Sequence, residues 1–117
     1  MNYQKQKSNP AFRAFQEVLK RIGEDRSLFA THVSLFTAMF ICWQKNAFLS
    51  PFMVNRKMLM TYSKIASKAT YHKCIRELQQ GGYIGYRPSF HPILASQVWW
   101  LQGGDLENKI LNNLTVF

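Results

Sequence analysis

Between residues 67 and 80 lies a set of side chains whose types and spacing suit them to act together. At about 100° per residue along a helix, Ala69, Lys73, Arg76 and Gln80 share one face, flanked by His72 and Lys68. Arg76 carries a planar fork that matches a bidentate acceptor edge such as guanine O6 and N7. Gln80 can serve the mixed edge of adenine, and Ala69 is small enough to lie against a thymine methyl. Lys68 and Lys73 are compact charges better suited to phosphate. The chemistry on offer is recognition by hydrogen bonding and charge. A solvated basic face on an ordinary amphipathic helix would have the same composition, so the surroundings of this helix decide between the two.

Bond-making chemistry has little to build on. Between Arg26 and Gly104 the only carboxylate is Glu77, so no acid/base pair can assemble there. No glycine-rich phosphate loop and no His-Glu metal motif occurs. His72 and Cys74 are two apart and so about 200° apart on a helix, which prevents them from holding one metal from one face. The sequence predicts no catalytic residue, no cofactor and no metal.

Charge points the same way as the helix face. The chain carries a net charge of +9 with a pI near 9.9. Residues 1–44 hold six basic and three acidic side chains, residues 45–100 hold eight basic against Glu77 alone, and residues 101–117 are slightly acidic. A folded region that keeps so many uncompensated cations accepts self-repulsion, which a polyanion relieves while releasing counterions.

Positioning these side chains falls to the elements around them. Asn9 as a cap with Pro10 in the first turn predicts a helix to about Ile22, with Phe12, Phe15, Val18, Leu19 and Ile22 as an apolar stripe and Gly23 as its stop. Residues 31–45 predict a central helix, apolar on most sides. Residues 46–54 read as a connection. Asn55 then caps a short helix from Arg56 to about Ser63, with Met58, Leu59 and Tyr62 inward. Ser67 caps the helix of interest, whose inner face is Tyr71, Cys74, Ile75 and Leu78, and Gly81 and Gly82 end it. The period then changes to a strand pair, residues 83–87 and 97–101, around a long tip containing Pro88, Ser89, His91 and Pro92. Asp105 opens a last helix, 105–117, striped with Leu106, Ile110, Leu111 and Leu114.

The expected fold class is mainly α with a small antiparallel β-hairpin, an α+β domain spanning residues 9–117 after a flexible stretch, 1–8. Cys42 and Cys74 sit inside apolar helical patterns and are expected as reduced, buried thiols. The N-terminal residues have no apolar signal core, and the greasy stretch from Leu28 to Trp43 is interrupted by Thr31, His32, Ser34 and Thr37. The expectation is therefore a cytoplasmic protein with no membrane span.

Ser67, Lys68, Thr70, Tyr71, Cys74, Ile75, Leu78, Gly82 and Ile84 are nine positions within eighteen residues that resemble the pattern shared by many bacterial winged helix-turn-helix regulators across recognition helix and first wing strand. The resemblance covers roughly residues 55–101. It implies a DNA-binding winged helix, with 67–80 in the major groove and 83–101 as the wing on flanking backbone or minor groove. On that basis Ala69, His72, Lys73, Arg76 and Gln80 are the base-reading set. Arg56, Lys57, Lys64, Ser67, Lys68, Thr70, Arg87 and His91 contact phosphates or serve the wing. Two departures stand out: the turn Lys64-Ile65-Ala66 has no glycine, and the hairpin tip is long.

The partner implied is double-stranded DNA, bound with sequence preference by a transcriptional regulator. Excisionase-like and replication-initiation factors would use the same helix. A winged helix devoted to protein contact is the alternative of another class, although it has no need of eight cations against one acid. A homodimer could form through helix 9–22, helix 105–117 or both. Trp99 and Trp100 are neighbours in a strand and must point to opposite faces, so one of them needs a second burial site. The last helix and a dimer partner are candidates for it, and base stacking is disfavoured because duplex bases are not available.

Overall fold

The computed structural model describes residues 9–89 and 95–102. The expected flexible stretch 1–8, the hairpin tip with His91 and the last helix, 105–117, lie outside these residues.

The first helix, α1 (Pro10–Glu24), begins as its cap requires. Asn9 Oδ1 accepts from the Ala11 and Phe12 N–H groups at 2.9 and 3.4 Å, and Pro10 occupies a position that needs no donor. Gly23 does not end the helix. It stays helical in open surroundings, and the chain turns at Asp25, which is extended and whose N–H bonds to the Ile22 carbonyl. Ala14, Val18 and Ile22 form the buried seam, with Phe12 and Phe15 half-buried beside it. Leu19 is 49% exposed, because the positions that recur every four residues from Ala14 exclude it.

The second helix, α2 (Ala30–Lys45), starts one residue earlier than expected, since the buried His32 caps it by accepting the Phe29 N–H on Nδ1 at 2.9 Å. Leu35, Phe36, Ala38, Met39, Cys42 and Trp43 are all buried, and α2 packs against the two helices that follow and the first strand. Residues 46–54 are more than a connection. Phe52–Val54 is a strand, β1, whose Phe52 and Val54 are buried while Met53 is 56% exposed. At its outer edge the Asn46 side chain accepts from Met53 N–H and donates to the Met53 carbonyl, each at 3.4 Å.

Asn55 Oδ1 accepts from Met58 N–H at 2.8 Å and opens α3 (Arg56–Ser63). Lys64 then turns the chain at φ 64°, so the left-handed residue expected to be glycine is a lysine, at a cost of about 1–2 kcal/mol. Ile65 is buried in the turn, with its N–H on Ser63 Oγ. Ser67 Oγ accepts from Thr70 N–H at 3.2 Å and opens α4 (Lys68–Gln80). Gly82, at φ 74°, reverses the chain into β2 (Ile84–Arg87), and β3 (Ser96–Trp100) returns antiparallel. The two strands are shorter at one end than expected, because the last bond, from Leu101 N–H to the Tyr83 carbonyl, falls outside the regular ladder.

The result is mainly helical with a three-stranded antiparallel sheet in the order β1-β3-β2. Phe52 pairs with Val98, and Ile84 with Trp100. The alternation along each strand sends Phe52, Val54, Ile84, Val98 and Trp100 into the core, and Met53, Arg87, Gln97 and Trp99 outward. Trp100 joins the layers. Its ring lies 5.4 Å from Phe15 of α1, 5.0 and 5.6 Å from Phe36 and Trp43 of α2, and 5.0 Å from Phe52 of β1. Trp99 finds its burial site within the hairpin, lying over Gly85, its cross-strand partner. Cys42 and Cys74 are buried free thiols. Among the described residues no helix is long and apolar enough to cross a membrane.

These seats separate the two tryptophans energetically. Trp100→Ala is expected to cost about 3–5 kcal/mol, the range for emptying a well-packed aromatic site, and Trp99→Ala about 1 kcal/mol, the scale of a cross-strand pair. Urea denaturation of the two variants measures both. Equal losses would contradict the assignment of Trp100 as the core residue.

Candidate nucleic-acid interface

Helix α4 is seated by four side chains. Tyr71, Cys74, Ile75 and Leu78 are all at most 5% exposed, and their spacing of three and four residues turns the opposite stripe to solvent. Ala69, His72, Lys73, Arg76 and Gln80 are all exposed there, as is Lys68. None of Lys64, Lys68, Lys73 or Arg76 has a carboxylate partner among the described residues. Glu77, the only acid between residues 45 and 100, turns inward, and its Oε1 lies 3.4 Å from Nε2 of the buried His32. His32 Nδ1 accepts the Phe29 N–H, and Nε2 is the nitrogen that faces the carboxylate, without a hydrogen bond between them. The Glu77 side chain keeps 35% of its surface exposed, with Oε1 buried toward His32, and stands to one side of the cationic stripe.

The far end of α4 is held by α1 and the loop after it. Arg21 donates to the Gly82 and Gly81 carbonyls at 3.2 and 3.3 Å, and its guanidinium lies 4.6 Å from the Tyr83 ring centre. A cation at those carbonyls meets the negative end of the helix dipole. The Tyr83 hydroxyl donates to Asp25 Oδ2, while Asp25 Oδ1 accepts from Ser27 N–H at 2.9 Å and Ser27 Oγ at 2.6 Å. The Ser27 and Tyr83 hydrogen bonds hold the Asp25 carboxyl below its ordinary value of 3.8. Burial, with the Asp25 hydrogen bond second, pushes Tyr83 up to about 12.

The residues singled out from the sequence lie in several separate places. Ala69, His72, Lys73 and Arg76 occupy the first turns of the exposed stripe. Gln80 stands about 16 Å along the axis from Ala69 by helix rise, on the rim of a cleft of about 290 Å³ with Asp25, Ser27, Glu77 and Tyr83. It belongs with that acidic corner as much as with the cationic stripe. Lys64, Ser67 and Thr70 come together at the start of α4, around an open recess of about 470 Å³ that also takes in Thr31, Ser34 and Ser63. There Ser34 Oγ donates to the Ser63 carbonyl and ties α2 to the turn.

Arg56 and Lys57 are exposed at the first two positions of α3, apart from that recess. Arg87 is exposed at the end of β2, bonded to Gln97 Oε1 at 3.4 Å, and His91 lies outside the described residues. Among the described residues no group of three or more His, Cys, Asp or Glu side chains is placed to hold a metal.

Four residues that orient α4 were not singled out by spacing: Arg21, Asp25, His32 and Tyr83. The Asp25-Arg26-Ser27 step carried a local sign, since an Asp two residues before a Ser commonly closes a side-chain turn. The links of Arg21 and Asp25 to residues 81–83 span the whole domain and leave no periodic trace. Comparison of the chain with family models, with curated proteins and with solved structures finds no match.

Because Asp25 titrates lower when folded, its contribution to stability is complete above about pH 3.8 and is lost as pH falls through the depressed value. Asp25→Asn is therefore expected to flatten the acid limb of melting temperature against pH below about 4. An unchanged acid limb would show that the Ser27 and Tyr83 bonds do not stabilise the charged form.

Proposed function

We propose that the protein binds double-stranded DNA with sequence preference, as a winged helix-turn-helix that acts in transcriptional regulation. The observation that carries this reading is the separation of charge on α4: Lys68, Lys73 and Arg76 are exposed on the outer side, and the one acid of the helix, 35% exposed, turns Oε1 away from them toward His32. An amphipathic helix that merely needed solvation would gain from mixing both signs on its outer face. The order α2, β1, α3, α4, β2, β3 with sheet order β1-β3-β2 supports the same reading. In a winged helix-turn-helix a short strand between the first two helices pairs with the returning strand of the wing, which is the place β1 takes beside β3.

In this reading α4 enters a major groove wide enough to admit a helix. Arg76 pairs with guanine, Lys73 and His72 reach neighbouring bases, and Ala69 leaves room for a thymine methyl. Lys64, Ser67, Lys68 and Thr70 hold phosphate at the helix start, where backbone N–H groups and the dipole favour an anion. Arg56 and Lys57 at the start of α3 and Arg87 on the hairpin hold the backbone to either side. The seam Ala14, Val18 and Ile22 of α1 is buried within its own chain, while Leu19 stays 49% exposed beside it, and a homodimer through this helix or the segment 105–117 remains part of the proposal.

Mobility shift with random duplex at two salt concentrations tests the class. Binding at low salt that weakens steeply with added salt is expected, and no binding at low salt would sink the proposal. On a site selected from a random pool, Arg76→Ala is expected to cost about 1–3 kcal/mol and relax preference at one base pair. Lys68→Ala should weaken all sequences alike and lower the salt slope by about 1. If the two variants behave identically on the selected site, the orientation of α4 is wrong.

A further inference from the structure

The outward face of the sheet carries an arrangement that the α4 reading leaves unused. Met53, Gln97 and Arg87 stand in one row across the three strands, and Trp99 lies opposite Gly85 in the next. A Cβ added at Gly85 would fall against Cε2, Cζ2 and Nε1 of Trp99, so the indole lies directly on the backbone of its partner strand. One side of the ring is sealed by the glycine. The residue is partly exposed, whereas Trp43 and Trp100 are at most 4% exposed. Arg87 Cζ lies 5.9 Å from the indole centre, near the outer limit for attraction of a cation to a ring. Cover for a glycine pair accounts for the seat of Trp99. It does not account for the exposed arginine beside the ring, which Gln97 holds at 3.4 Å from the neighbouring strand.

We propose that this sheet face, centred on Trp99, binds an unpaired nucleotide, with the base stacked on the indole and its phosphate drawn by Arg87. Stacking on an aromatic plane with a nearby cation is how sequence-tolerant sites hold single strands. The ring is already fixed by its seat, so little side-chain freedom is lost on binding. Charge favours the occupant: Arg87 is the cation on this face, and the one carboxylate of residues 45–100, Glu77, stands on α4 rather than on the sheet, which suits an anionic ligand. A paired base offers no free face, so the ligand is single-stranded. The inference rests on the proposed DNA reading, because Arg87 joins this face to the hairpin side of that interface. It adds that the preferred substrate is a duplex ending in, or interrupted by, unpaired nucleotides.

The test compares a blunt duplex, the same duplex with a single-stranded thymidine tail, and the free thymidine oligonucleotide, at low salt. The full chain and its Trp99→Ala and Trp99→Phe variants are each titrated. The tail is expected to tighten binding about fivefold or more. Trp99→Ala should abolish that gain, Trp99→Phe should keep most of it, and blunt-duplex affinity should be the same in all three proteins. In the unsubstituted chain the tailed duplex should quench tryptophan emission more than the blunt one does, since Trp99 is the partly exposed tryptophan. No gain from the tail, or a gain that survives Trp99→Ala, would overturn the proposal while leaving duplex binding intact. Loss of blunt-duplex binding in the unsubstituted protein would instead remove the α4 reading, and quenching by the free oligonucleotide would then decide this site by itself.

Discussion

The seat of Trp100 is the constraint on which the rest of the structure depends. One ring touches α1, α2 and β1 from the end of β3, and β3 is the central strand of the sheet. Sliding β3 by one residue would bring Trp99 to that place and turn every buried side chain of the strand to solvent. The aromatic cluster thus sets the register of both neighbouring strands. It also fixes what the sheet shows outside, since the residue beside a fully seated tryptophan has no choice of face. Gly85 completes the arrangement by leaving the space that Trp99 fills.

A second constraint acts through α4. Four buried side chains fix the rotation of the helix about its axis, and the Arg21 clamp on the Gly81 and Gly82 carbonyls fixes its far end. With rotation and end both held, the backbone that carries the cationic stripe has one orientation relative to the core. Glu77 is turned with Oε1 3.4 Å from the buried His32 Nε2, which sets its charge to one side of the cationic stripe. The remaining cations repel one another, and the aromatic core offsets that cost.

What was legible in the sequence divides by the range of the interaction responsible. The start of every described helix is set by a side chain acting two or three residues away; Asn9, Asn55 and Ser67 could each be read directly, whereas His32, which caps α2 from inside the helix, could not. The inner face of α4 and the glycine exit were equally local. The end of α1 was misread at Gly23, because a glycine permits a stop without requiring one, and Asp25 supplies it instead. Strand β1 was missed because three residues cannot display a period and its only ladder partner, β3, lies far along the chain. Lys64 takes a left-handed turn that its type does not announce. Leu19 was counted into a stripe that geometry assigns to Ala14. The partners of His32 and Arg21 were invisible for the same reason as β1: they come from distant parts of the chain.

Asn46 bears on how the molecule behaves in a crowd. In a strand of three residues only Met53 turns its backbone donor and acceptor away from β3, and the Asn46 amide occupies both. An incoming strand from another molecule finds nothing to bond on that side. Stacking of sheets into a fibre needs two open edges per molecule, one to add to and one to be added to. With the β1 edge occupied, edge-to-edge association through this sheet stops at a pair joined by β2, so the fold does not polymerise by that route.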